Sequence, residues 1–251
     1  MPEPISDRDK ALLLRDKYKG VPTESYKQDL ERLARGEPLD YLIGWKPFLG
    51  TCIMLNHRPL IPREETEYWV SQAIQQARRV YDAPHCLDLF AGSGCIGIAL
   101  LAHLPKSSVV FADNAENALA QIRENLEQNA LPETGSRARV VHSDVFTALD
   151  ETFDIICANP PYIDAGREET QASVVEYEPA EALFAPERGL ALIDETLRHA
   201  HRHLAQDGVL FIEFDEWQKD ALETRMDELP YREHTFHRDQ FGRWRFLEAH
   251  C

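Results

Sequence analysis

From His85 onward the chain alternates short apolar runs with longer segments of helical spacing, and this alternation restricts its fold more than any other feature. It predicts strands over 85–90, 108–113, 138–142, 153–158 and 209–214, helices over 95–104, 115–129, 189–205 and 216–229, and a last strand over 243–249. Buried strands that alternate with helices pack as a parallel α/β sheet with helices on its faces. Ahead of the sheet, residues 7–35 place Leu12, Leu13, Leu30 and Leu33 at helical spacing and are interrupted by Pro22, which predicts two short helices. Residues 38–63 carry four prolines and three Gly or Asn punctuators around short apolar pieces, and a helix is predicted over 64–80. The expected organisation is a short N-terminal helical region (1–37), a hairpin connector (38–63) and an α/β domain (64–251), with 43% apolar residues to fill a core.

No apolar stretch approaches bilayer-spanning length and no secretory h-region follows Met1-Pro2-Glu3-Pro4, so a soluble cytoplasmic protein is expected. Cys52, Cys86, Cys95, Cys157 and Cys251 are odd in number, scattered and without a C-x-x-C pair, which fits reduced thiols better than disulfides or zinc. Lys and Arg number 27 against 43 Asp and Glu, a formal charge of −16 that opposes non-specific affinity for nucleic acid backbones. Arg137 with Arg139, the run from Arg198 to His203 and the tail from Arg232 to Arg245 are local basic patches of a kind usually left solvated.

The first strand of the sheet runs into Asp88-Leu89-Phe90-Ala91-Gly92-Ser93-Gly94-Cys95-Ile96-Gly97, with three glycines at G-x-G-x-x-G spacing before an apolar helix. Such a loop brings backbone N–H groups close to a ligand at a helix N-terminus. Asp113 ends the second strand, where a carboxylate can accept both hydroxyls of a ribose, and Asp144 follows the third; both should converge on the carboxyl edge of the sheet. A dinucleotide would need the glycines for its pyrophosphate. Asp88 at the head of the loop opposes phosphate but suits the cationic methionine end of S-adenosylmethionine, the expected cofactor.

After the apolar run 153–158 stands Asn159-Pro160-Pro161-Tyr162. Two prolines remove two backbone donors and hold the preceding residues extended, so the corner displays carbonyl acceptors stiffly, with the Asn159 side chain adding one more. A planar NH2 group is a poor nucleophile because its lone pair is delocalised. Acceptors that fix both N–H groups can aim that lone pair at an electrophile, while the Tyr162 ring stacks on the flat group. The pattern outlines an N-methylation site: Asn159, Pro160 and Tyr162 as catalytic residues, with Pro161 among those that bind substrate.

With both motifs, the chain resembles the protein-(glutamine-N5) methyltransferases of the release factor type, the HemK/PrmC family. The resemblance runs from about Glu37 onward through Tyr41-Leu42-Ile43-Gly44, Phe48-Leu49-Gly50, Leu60-Ile61-Pro62-Arg63, Glu65-Thr66-Glu67, Ser143-Asp144, Glu178-Pro179, Ala182-Leu183 and Gly189-Leu190. It implies a Rossmann-like class I methyltransferase sheet of seven strands, and methylation of the glutamine in the Gly-Gly-Gln loop of a peptide chain release factor. S-adenosylmethionine would lie over Phe90, Ala91, Gly92, Ser93 and Gly94, with its ribose on Asp113 and its adenine near Asp144 and Val145. Asn159 and the Pro160 carbonyl would bind the glutamine amide, and Tyr162 would pack against it. Glu64 stands where the family usually has proline, Asp215 where glycine commonly follows Glu213, and about 40 residues precede the Tyr41 segment. These departures bear on partner recognition rather than catalysis.

An adenine N6-methyltransferase on DNA or RNA offers the same NH2 geometry, but the acidic charge lacks the basic groove expected of base flipping. Glutamine methylation of a ribosomal protein is another alternative, and a cofactor-binding scaffold without catalysis a third. The intact acceptors of Asn159 to Tyr162 weigh against the scaffold. His199, His201 and His203 are two residues apart on a predicted helix and so face different ways, which argues against a metal site. Trp45, Trp69, Trp217 and Trp244 read as packing residues, with Trp45 and Trp69 placed to flank the substrate groove.

Overall fold

The computed structural model describes residues 5–131, 134–167 and 172–251. The helices α1 (Asp7–Asp16) and α2 (Glu24–Ala34) lie on either side of Pro22, and each starts on a hydroxyl cap: Ser6 accepts the Asp9 amide and Thr23 the Tyr26 amide. The connector holds a short helix, α3 (Leu39–Ile43), as well as the hairpin β1 (Trp45–Phe48) and β2 (Thr51–Met54). Leu49 and Gly50 turn the hairpin at φ of 44° and 79°, and the Leu49 amide is held there by Glu67 Oε1 at 2.6 Å. Glu67 belongs to α4 (Glu64–Val80), where Glu64 takes the first helical position, one that also suits proline.

The remaining elements are β3 (His85–Leu89), α5 (Cys95–His103), β4 (Ser108–Asp113), α6 (Glu116–Asn129), α7 (Thr134–Arg137), β5 (Ala138–His142), β6 (Phe153–Ala158), α8 (Ala172–Tyr177), α9 (Pro186–Gly189), α10 (Ala191–Ala200), β7 (Leu204–Glu213), α11 (Lys219–Met226), β8 (Glu233–Arg238) and β9 (Trp244–His250). Seven strands form one sheet in the order β5-β4-β3-β6-β7-β9-β8. Five run parallel; β9 is antiparallel to both β7 and β8. The chain builds outward from β3 to β5 and then returns to the other side of β3 with β6. That reversal opens a crevice at the carboxyl ends of β3 and β6, where open α/β sheets bind ligands.

Side chains alternate between two core layers with the strand period of two. Cys86, Phe111, Ile155, Cys157, Val209 and Phe211 pack with Trp69, Val70 and Ala73 of α4 and Ile98 of α5. Leu87, Val110, Ile156, Leu210 and Ile212 pack on the other face with Ile193, Leu197 and Leu222. Asp88, Asn159 and Glu213 share the parity of the first set, so they turn toward α4 and α5; the site depends on this.

Several boundaries depart from expectation. Strand 85–90 ends at Leu89, because Phe90 takes φ 58°. The helix expected over 189–205 spans only Ala191–Ala200, and β7 starts at Leu204, carrying the Asp207-Gly208 turn as an irregularity within the strand. The strand β8 was not expected: Phe236 is the one large apolar residue in Glu233–Arg238, so an edge strand with polar neighbours reads as a basic tail. Several basic residues of this tail and of the Arg137 and Arg139 patch have individual partners, among them Arg232 with Asp207 and Arg139 with Glu151. All five cysteines are free thiols, and among the described residues no helix is long and apolar enough to cross a membrane.

Candidate active site

Past β3 the chain folds under the crevice. Ala91 donates its amide to Ala112 O at 3.1 Å, Gly92 and Gly94 take φ of 54° and 77°, and α5 begins at Cys95. Gly97 is bare because α5 packs tightly on the sheet: a Cβ there would lie 2.2 Å from the Phe111 ring. Asp113, at the end of β4, clamps the loop, its Oδ2 accepting the Gly92 amide at 2.8 Å and its Oδ1 the Ala115 amide at 2.9 Å. Burial pushes the Asp113 carboxyl above its ordinary range, and those amides oppose the shift.

Two cavities meet at Asn159. The first, about 790 Å³ including its open mouth, is lined by Phe90, Ala91, Gly92, Ser93, Asp113, Asn159 and Pro161, with Pro59, Leu60 and Ala118 as apolar walls. The second, about 1160 Å³ on the same measure, is lined by Asn159, Pro160 and Tyr162 together with Trp217, Asp215 and Arg245. Leu60, Arg63 and Ala182 also border both, so the Asn159 corner is part of a shared wall rather than the end of one pocket. Among the described residues no donor is paired with Asn159 Oδ1 or the Pro160 carbonyl, which leaves both acceptors available.

Four expected cofactor residues do not line the first cavity. Asp88, by strand parity, points beneath α5, where its Oδ2 accepts the Gly97 amide at 2.8 Å and the side chain is fully buried. Its carboxylate supports the loop from below instead of facing a ligand. Gly94 is buried where the loop enters α5. Asp144 is exposed, and Val145, at φ 47°, turns into the second core layer with Leu149 and Ile156. Asn114, Ala115 and Asn117, which follow β4, line the cavity instead.

Thr66, Trp69 and Glu213 complete the site; the sequence places Trp69 beside the substrate groove but assigns Thr66 and Glu213 no role in it. Glu213 is a fully buried carboxylate that accepts the Thr66 hydroxyl and the Trp69 indole N–H on Oε2, both at 2.7 Å, and the Tyr162 hydroxyl on Oε1 at 2.8 Å. Thr66 Oγ1 in turn accepts Asn159 Nδ2 at 3.3 Å. Burial, with Glu213 second, pushes the Tyr162 phenol well above its ordinary range, so it remains a donor. The sequence signal for Glu213 is a lone acid closing the apolar run 209–212; that for Thr66 is a polar residue on the buried α4 stripe of Trp69, Val70 and Ala73. Trp69 therefore anchors the site from behind, and Trp45 lines neither cavity. Two of the three histidines have separate ring partners: His203 stacks on Phe146 with centroids 4.5 Å apart, and His201 meets the Tyr231 ring edge-on.

Residues 71–183 match the model of the Methyltransferase small domain family. The release factor glutamine methyltransferase of Lactococcus lactis is 32% identical over 239 residues, a span covering 94% of this chain and 86% of that protein. Its counterpart in Streptococcus pneumoniae is 35% identical over 233 residues, covering 90% and 81%. Among solved structures, a ribosomal protein L11 methylase from Lactobacillus delbrueckii subsp. bulgaricus superposes with a TM-score of 0.57 at 19% identity, over 77% of this chain and 81% of that one. A 16S rRNA N2 G1207 methyltransferase from T. thermophilus, solved with AdoMet and guanosine, gives 0.55 at 19% identity, over 82% and 49%. At such identities these structures speak to the fold: a class I methyltransferase sheet.

Proposed function

We infer the activity from one premise: this chain belongs to the release factor glutamine methyltransferase family. It transfers a methyl group from S-adenosylmethionine to the side-chain amide nitrogen of a glutamine, in the Gly-Gly-Gln loop of a peptide chain release factor. The observation that carries this reading is the position of Asn159 in the wall of both cavities. One cavity has what a methyl donor needs and the other what a flat amide needs.

The first cavity fits the cofactor by its chemistry. Gly92 faces open space, where a Cβ would meet nothing closer than 3.9 Å, and Asp113 retains lone pairs for a ribose diol beyond those its two amide donors use. Pro59, Leu60 and Ala118 offer apolar surface to a flat base. S-adenosylmethionine, when bound, supplies an electrophilic methyl group. Phe90 to Ser93 and Asp113 would hold it, with Pro161 and Asn159 closing the far side.

The work of the chain on the amide is orientation. Asn159 Oδ1 and the Pro160 carbonyl accept its two N–H bonds and turn its nitrogen toward the first cavity, and Tyr162 walls the second. Glu213, the carboxylate closest in the chain of hydrogen bonds, is fully buried and already accepts three donors, so it does not serve as a general base. The amide proton leaves to water after transfer. The helices α1 and α2, held together where Lys17, just past α1, pairs with Asp29 of α2, form the surface we assign to docking the protein partner.

Incubation with methyl-labelled S-adenosylmethionine and a release factor, the same factor with its Gly-Gly-Gln glutamine changed to alanine, a ribosomal protein fraction and DNA tests the assignment. Label is expected on the unaltered factor alone; label on the altered factor, the ribosomal fraction or DNA overturns it.

A further inference from the structure

We propose that Glu213 and Thr66 are positioning residues that decide which end of the Asn159 amide faces the substrate. The proposal rests on Asn159 as the acceptor for the substrate amide and goes further, to what makes it an acceptor. An asparagine amide has an oxygen and an NH2 group of nearly equal size, and only the oxygen can receive an N–H bond. Something must choose between them.

The sheet brings the choosing groups together. The β6–β7 register pairs Ala158 with Ile212, so the next residues, Asn159 and Glu213, stand side by side on the face covered by α4. There Glu213 Oε2 accepts the Trp69 indole, a group that can only donate, and lies 2.7 Å from Thr66 Oγ1. A carboxylate surrounded by donors accepts from each, so the Thr66 hydrogen points at Glu213. The other side of Thr66 Oγ1 then presents only lone pairs, and its neighbour there is Asn159 Nδ2 at 3.3 Å. The amide oxygen in that place would set lone pair against lone pair. Thr66 therefore binds the NH2 end and Oδ1 is turned to the cavities. Polarity passes from Glu213 through Thr66 to Asn159 without any proton being transferred. The same carboxylate holds the Tyr162 hydroxyl, so both ends of the Asn159 to Tyr162 corner hang on one buried group.

Steady-state kinetics of Asn159→Ala, Thr66→Val, Thr66→Ser, Glu213→Gln and the Thr66→Val/Asn159→Ala pair, with release factor and cofactor varied separately, test this. Thr66→Val keeps the side-chain shape but removes the hydroxyl; kcat should fall on the order of tenfold to a hundredfold. Both KM values should stay within about threefold, and Thr66→Ser should recover kcat to within about threefold of the starting enzyme, on the same scale. Glu213→Gln should keep Thr66 oriented, because its amide oxygen must take the place that faces the Trp69 indole, which can only donate, and its NH2 the place that faces the Tyr162 hydroxyl; kcat should stay above that of Thr66→Val, and an equal fall in a folded variant overturns the role given to that oxygen. In the Asn159→Ala background Thr66→Val should cost nothing further, since the amide it orients is gone. Unchanged kcat in Thr66→Val beside a collapsed Asn159→Ala overturns the positioning role while leaving the acceptor reading intact, and so does full multiplication of the two losses. Unchanged kcat in Asn159→Ala overturns the acceptor reading itself. The Thr66 pair decides the matter even if Glu213→Gln fails to fold.

Discussion

Burial holds the Asp88 carboxyl well above the ordinary aspartate range; the Gly97 amide opposes the shift and the neighbouring Asp113 adds to it. One of its oxygens has no hydrogen-bond partner among the described residues. A raised folded-state value means the native protein binds the proton more tightly than the unfolded chain does. The associated stabilisation is complete below about pH 4, the ordinary aspartate value, and is lost as pH rises through the folded-state value. Asparagine keeps the acceptor for Gly97 and cannot ionise. Asp88→Asn should therefore show a smaller fall in Tm than the unaltered protein as pH is raised from about 4 to about 8. Melting curves recorded across that range check this, and parallel Tm profiles for the two proteins would contradict it. The residue also shows a limit of motif reading: its place before a glycine loop suits a ligand contact, but its parity on β3 sends it under α5.

At the scale of elements, the Asn159 to Tyr162 corner is clamped from outside the sheet. Gln218, fully buried, donates to the carbonyls of Tyr162 at 3.0 Å and Arg188 at 3.3 Å, and is itself fixed by a capping box with Asp215. Asp215 thus has a structural use in the position where the family commonly carries glycine. Gly189, at the end of α9, lies directly on the corner. A Cβ there would stand 2.0 Å from the Tyr162 carbonyl oxygen at φ 75°, so backbone must move to admit it. Gly189→Ala should cost about 1–3 kcal/mol in stability and lower turnover through the displaced corner. A thermal melt and a methyl transfer assay read the two effects; a variant that keeps both the melt and the turnover of the unaltered protein contradicts the clamp.

For the whole molecule, the alternation from His85 onward was enough to read the parallel α/β part of the sheet, β3 to β7, because wholly buried strands must be apolar and parallel neighbours need crossovers that helices mostly supply; the antiparallel direction of β9 was not read from it. Both motifs that converge on the crevice were also legible, since glycine and proline act through the backbone of the chain that carries them. What escaped the sequence depends on contacts between distant elements: β8 is an edge strand defined by its partner, and Thr66 and Glu213 acquire their roles only because α4 crosses the ends of β6 and β7. Asp144 and Val145 show the reverse, a segment named by resemblance whose side chains lie away from the first cavity. The central claim is that Asn159, between the two cavities, aligns a glutamine amide and contributes little to holding the cofactor. The direct measurement is Asn159→Ala, with cofactor affinity by calorimetry and turnover by transfer of labelled methyl to a release factor. The account predicts affinity within a few-fold of the starting value and turnover lower by about 100-fold to 1,000-fold, the size expected when one aligned hydrogen-bonding group is lost; turnover equal to that of the unaltered protein would contradict it.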